Sequence, residues 1–189
     1  MKLCINSKAK GNRTLLYSVI SILLIFLACR SDRSLTQERA EKIAGIFCLP
    51  RYLPNNIDKT PELFEVGEPE IPDTAVLYKY TDTSERAFVI IMNDVSETSP
   101  VKVYREYDAY NPIEFCDDVM MLSNGLQACN SFNRLVDPER YGEKVLNGPP
   151  FKSYINWQIR QDNKITIYSI LSSLSLEETK DIASSICVG

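Results

Sequence analysis

The chain contains no histidine, and that single absence removes most familiar side-chain engines. Neither a Ser-His-Asp triad nor a Cys-His pair can be assembled, because both use imidazole to take and return a proton near neutral pH. Cysteine is the other chemistry-bearing type. Of the six, Cys48, Cys116, Cys129 and Cys187 lie beyond residue 29. They do not read as a zinc site, since no C-x-x-C pair occurs. Four cysteines allow three disulfide pairings. The expected one joins Cys116 to Cys129 as a local staple and Cys48 to Cys187, against the alternative of buried free thiols.

The acidic residues offer less. Glu114, Asp117 and Asp118 gather beside Cys116, but they lack the alternating acidic pattern and glycine of a calcium loop, so a solvated helix face is expected. Glu177, Glu178 and Asp181 fall near a helix start, where negative charge complements the dipole. General acid–base hydrolysis needs two carboxylates opposed across a substrate, and no pair is nominated. Tyr104, Tyr107 and Tyr110 combine apolar area with a polar tip, the makings of a binding surface. Ordinary sheet and loop packing is the competing expectation for them, and Trp157 is expected in the core. No cofactor and no metal is expected.

The location of these residues depends on the N-terminus. Lys2, Lys8, Lys10 and Arg13, with no acid among them, precede the fourteen-residue apolar run Leu15–Ala28. A span needs roughly 20 such residues, so a removed secretory leader is expected over 1–28. Phe26-Leu27-Ala28-Cys29 resembles the bacterial lipobox, although Phe26 and Leu27 depart from the usual aliphatic and small residues. That resemblance implies cleavage before Cys29 and acylation of its thiol, with 29–34 as the tether; the alternative is a retained signal anchor. More than one acyl chain would hold the protein stably, since each buried methylene contributes about 0.8 kcal/mol. Losing the leader's four basic residues leaves 17 Lys+Arg against 25 Asp+Glu, a net charge of −8. Such a balance disfavours nucleic acid, and it would hold the domain off an anionic membrane surface unless tethered.

The remaining residues, 35–189, suit one domain. Ser34-Leu-Thr-Gln37 reads as a capping box for a helix over 35–47, with Ala40, Ile43, Ala44 and Phe47 inward. Pro61, Pro69 and Pro72 predict a long loop over 55–73. Residues 75–80 and 86–93 form an expected hairpin about Thr81–Glu85, with Phe88–Met92 a central strand; 101–107 is a further strand. Asn111-Pro-Ile-Glu114 predicts a second helix with Phe115, Val119 and Leu122 on one side, ended by Asn124-Gly125. A short helix near Cys129, Phe132 and Leu135 follows, then a connection at Asn147–Pro150. Alternation at Ile155, Trp157 and Ile159, a turn at 161–164, and alternation at Ile165, Ile167, Ser169 and Leu171 predict a hairpin. Ser175-Leu-Glu-Glu178 caps a last helix whose inner stripe is Thr179, Ile182, Ala183 and Ile186. Cys48 and Cys187 would meet if the first and last helices run parallel.

Glu41-Lys-Ile-Ala44, Pro50-Arg-Tyr-Leu-Pro54, the Tyr78 strand, Ile155-Asn-Trp157, Leu174–Glu178 and Ile182–Ile186 together resemble a bacterial domain of unknown function. It occurs in lipoproteins and on the outer side of anti-sigma-factor-like membrane proteins. The resemblance covers both ends of the mature chain but not 94–148, which reads as a helical insertion. It implies an extracytoplasmic α+β module, a mostly antiparallel sheet with N- and C-terminal helices on one face, and no reaction. A non-enzymatic binding or sensing module of the envelope is therefore expected, held to the membrane by its lipid and meeting a protein or envelope ligand. A small carboxylate-dependent hydrolase and a structural envelope component are the alternatives.

Overall fold

Arg86-Ala-Phe-Val-Ile-Ile-Met-Asn-Asp94 is apolar without interruption from Ala87 to Met92, as a strand buried on both faces must be. In the computed structural model it lies at the middle of the sheet, with Ala87 to Met92 fully buried. The structure describes residues 33–68, 71–96, 113, 116, 118–130 and 148–187. The chain divides into two compact units, Met1–Ser31 and Asp32–Gly189; every element below belongs to the second.

In chain order these are β1 (Arg33–Ser34), α1 (Gln37–Ala44), β2 (Glu62–Glu68), β3 (Ile71–Lys79) and β4 (Arg86–Asp94). After them come β5 (Val119–Met121), β6 (Gln127–Asn130), β7 (Ser153–Gln161), β8 (Lys164–Ser172) and α2 (Leu176–Ser184). The strands form one antiparallel sheet in the order β1-β2-β3-β4-β8-β7-β6-β5, two meanders joined where β4 pairs β8. The fold is α+β with a predominantly antiparallel sheet.

Period-two alternation gives the sheet two chemically different sides. Register aligns Val76, Ile90, Ile170 and Ile155 in one row and Tyr78 with Phe88 in another. These residues share a buried cluster with Trp157, Tyr168, Ala44, Ile182 and Ala183. Tyr78 stacks on Phe88 and Trp157 on Tyr168, with centroids 4.6 and 5.3 Å apart. Full burial of each such side chain is worth about 1.5–3 kcal/mol. The opposite side holds Phe64, Val66, Ala75, Leu77, Val89, Ile91 and Leu171, with Phe151 and Tyr154 packed on them.

Several expectations need correction. α1 is capped by Thr36, whose hydroxyl accepts from Arg39 N–H at 3.4 Å. Ser34 cannot cap because it pairs with Phe64 in β1, so the last two tether residues belong to the sheet. The helix ends at Ala44 rather than Phe47, and the cause is local. Gly45 takes φ +72°, and a Cβ there would lie 2.6 Å from the Asp94 carboxyl carbon. Side chains of β8 then satisfy the freed groups: Thr166 Oγ1 donates to Ala44 O at 2.7 Å and accepts from Ile46 N–H at 2.9 Å.

The long loop expected over 55–73 contains β2 and the start of β3. Of its described prolines, Pro61 precedes the pairing and Pro72 faces Gly67 at its outer end, positions that tolerate a missing N–H. The helix expected from Asn111 does not pass through 119–122. Val119–Met121 and Gln127–Asn130 are strands of the main sheet, paired Val119 to Cys129 and Met121 to Gln127. Asn124-Gly125, taken as a helix stop, turns this hairpin, with Gly125 at φ +85° and its N–H donating to Leu122 O at 2.9 Å. The stretch 94–148 therefore contributes two strands to the sheet. The short helix expected near Cys129, Phe132 and Leu135 does not include Cys129, which is paired within β6. Phe132 and Leu135, like the strand expected at 101–107, lie outside the described residues.

The last forty residues follow expectation. β7 and β8 pair from Ser153–Ser172 to Gln161–Lys164 about the two-residue turn Asp162-Asn163. A positive φ of 53° at Asp162 suits the tight hairpin turns that match strand twist. α2 carries a full capping box, Ser175 accepting from Glu178 N–H while Glu178 reaches back to the Ser175 N–H.

Candidate functional site

Both expected disulfides are present. Cys48 bonds Cys187 with Cα atoms 5.3 Å apart, and Cys116 bonds Cys129 at 5.7 Å. The isolated bridge between Pro50 and Ile186 sets the first pair side by side. The second ties the approach to β5 onto β6. None of these four sulfurs is a free thiolate for nucleophilic chemistry. Cys29, the expected lipid site, and Tyr104, Tyr107 and Tyr110, the expected binding surface, lie outside the described residues.

Several acidic residues within the described part have side-chain partners. Glu178 holds the α2 cap, and the hydrogen bonds from the Ser175 hydroxyl and then its amide keep its carboxyl below the ordinary range. A carboxyl held ionised in this way is poorly suited to act as a general acid. Glu177 pairs with Lys180, Glu65 with Arg39 at 2.7 Å, and Glu62 with Lys79. Asp118 accepts from Asn130 Nδ2 at 2.8 Å; Glu114 and Asp117 lie outside the described residues. Among the described residues no three acidic or sulfur ligands group as a metal site would require.

Arg86 is a further charged residue that sequence reasoning did not single out. It is buried at the start of β4, lies 3.8 Å from the Phe151 ring centre and donates to Pro149 O. Burial lowers its pKa. Its contacts clamp 148–151 to the sheet, which is a packing role.

What remains is a surface. An open groove of about 470 Å³ lies across the outer strands, lined by Met121 of β5, Gln127 of β6, and Gln158 and Arg160 of β7. Register explains the grouping. Met121 faces Gln127, and continuing the Ala128–Trp157 pairing by one residue sets Gln127 opposite Gln158. All three therefore point to the side of the sheet away from Trp157. Gly125 opens the end of the groove, since nothing lies within 4 Å of where its Cβ would be. Leu126 and Ile113 supply apolar wall. Met121 in its lining and Val119, two residues before it on the same strand face, are 57% and 45% exposed. The sequence signal for this site was Asn124-Gly125 between two short apolar runs, a hairpin mark.

Among the described residues no helix is long and apolar enough to cross a membrane. No protein-family model matches the chain, and neither a curated protein nor a solved structure matches it significantly.

Proposed function

We propose that the chain is an exported, lipid-tethered, non-enzymatic binding module of the bacterial cell envelope, presenting the outer-strand groove to a protein or envelope ligand. The observation that carries the reading is the pair of disulfides, Cys48–Cys187 and Cys116–Cys129. Such bonds persist in oxidising compartments and are rare where glutathione and thioredoxin keep thiols reduced. The basic, apolar leader and the lipobox-like Phe26–Cys29 supply the route and the anchor. An acidic domain that does not adsorb to anionic lipid needs that anchor to stay at the membrane.

The finer architecture belongs to the same reading. Both helices lie on one face of the sheet, as in the bacterial domain of unknown function that the chain resembles, and the groove opens on the other. Residues 94–148 are an insertion into that family pattern, one that adds β5, β6 and the groove. The test is fractionation of cells expressing the full chain. The wild type is expected in the membrane pellet and resistant to alkaline wash, while Cys29→Ser either leaves the membrane or remains unprocessed. Recovery of the wild type in the cytosol would refute the proposal.

A further inference from the structure

The free edge of the sheet says more about the partner than the groove alone. Among the described residues β5 ends the strand order, with β6 as its one neighbour. Asn130 N–H donates to Asp118 O at 3.0 Å and Leu122 N–H to Leu126 O at 2.9 Å. In an antiparallel ladder the hydrogen-bonded pairs recur at every second residue. Residues 118, 120 and 122 therefore turn their main-chain groups toward β6. Val119 and Met121 turn theirs outward, and among the described residues nothing pairs with them. These same two residues carry the exposed apolar side chains. Natural sheets blunt an open edge by keeping it short or with a charged side chain, a proline or a covering element. β5 is short, at three residues, but Val119-Met-Met121 has no charge and no proline.

Open N–H and C=O groups along a strand select an occupant that presents complementary groups at strand spacing, which is an extended polypeptide. Val119 and Met121 select apolar side chains at its alternate positions. The charge comes from Arg160, the only charged residue among the described groove-lining residues. In a chain with 25 Asp+Glu against 21 Lys+Arg, an exposed guanidinium with no described ion pair favours an anionic group opposite. We propose that β5 is extended by a peptide strand whose alternate apolar side chains cover Val119 and Met121 and whose acidic end approaches Arg160. This rests on the binding role above and names the partner class of the β5 edge that borders the groove.

The test uses the full chain in detergent and a short fluorescein-labelled peptide of alternating Thr and Val that ends in two Glu, read by anisotropy. One control peptide carries Pro at the Val positions, and another ends in two Lys. Met121→Lys and Arg160→Glu change exposed side chains, and their thermal melts report whether folding is intact. The wild type is expected to bind the Glu peptide and ignore the Pro peptide. Each variant is expected to weaken binding by about tenfold or more, the scale of losing one anchoring contact, with Arg160→Glu now preferring the Lys peptide. Equal binding of the Pro peptide, an unaffected Arg160→Glu, or no binding at about 1 mM, the weak end of specific affinity, would overturn the proposal. So would a dimer abolished by Met121→Lys in a chain that ignores the peptides, because the edge would then serve a second copy. An exported, acylated chain that fails here loses only this inference; an unprocessed cytosolic chain loses the proposed function whatever the anisotropy shows.

Discussion

Tyr168 and Cys48 are joined across 120 residues of sequence: the Cys48 amide donates to the Tyr168 phenolic oxygen at 3.2 Å. The same hydroxyl donates to Ile46 O at 2.8 Å and lies 3.5 Å from Cys187 Sγ. One side chain of β8 thus lies beneath the disulfide and satisfies the main chain that leaves α1. Burial raises the Tyr168 pKa, which keeps the hydroxyl protonated as a donor.

Tyr168→Phe removes only an oxygen, yet it strands a part-buried amide and a buried carbonyl. The expected loss is about 1–3 kcal/mol, the cost of leaving such groups unsatisfied. Urea melts of the oxidised protein check this, and the disulfide itself is expected to remain formed.

The two disulfides close loops of very different length, with separations of 139 and 13 residues. On the loop-entropy model, Cys48→Ser with Cys187→Ser costs about 5 kcal/mol and Cys116→Ser with Cys129→Ser about 3 kcal/mol. The long-loop variant is the one expected to melt lower, as denaturant midpoints of the two would show.

The single tryptophan of the chain is Trp157, and it is fully buried against Tyr168. Its emission is expected to be blue-shifted and shielded from acrylamide in the folded state, moving red in one transition on unfolding. Trp157→Ala should cost about 3–5 kcal/mol through the cavity it leaves.

Glu178 gives a pH dependence with a definite sign. Its folded-state pKa is lowered by the Ser175 hydroxyl first and the Ser175 amide next. Its ionised form therefore stabilises the fold above the ordinary carboxylate range, and that contribution disappears as pH falls through the lowered value. The melting temperature of Glu178→Gln is expected to lie below wild type at neutral pH and to converge with it in acid. Ser175→Ala should cost about 1 kcal/mol by removing the cap.

Much of the architecture could be read directly because its signals were local and unopposed. The β7–β8 hairpin alternates over nine residues on each side of Asp162-Asn163, and the α2 cap is a contiguous Ser-Leu-Glu-Glu motif. β2 was hidden because Glu62, Glu65 and Glu68 interrupt its apolar residues and prolines bracket it. Pairing with β3 overrides that composition. β5 misled for another reason: Phe115, Val119 and Leu122 fit a helical stripe, and Asn-Gly serves equally as a helix stop and a hairpin turn. Only the Cys116–Cys129 staple and the pairing with β6 decide between them. The groove depends on that choice, since Met121 and Arg160 become neighbours only once the hairpin joins β7.

Export, oxidation and lipid attachment can all be read from one experiment, the intact mass of the membrane-extracted protein with and without reduction. The expected species begins at Cys29, is heavier by its acyl chains, and takes up label on Cys48, Cys116, Cys129 and Cys187 only after reduction. A full-length, unacylated chain whose four thiols label without reduction would contradict it.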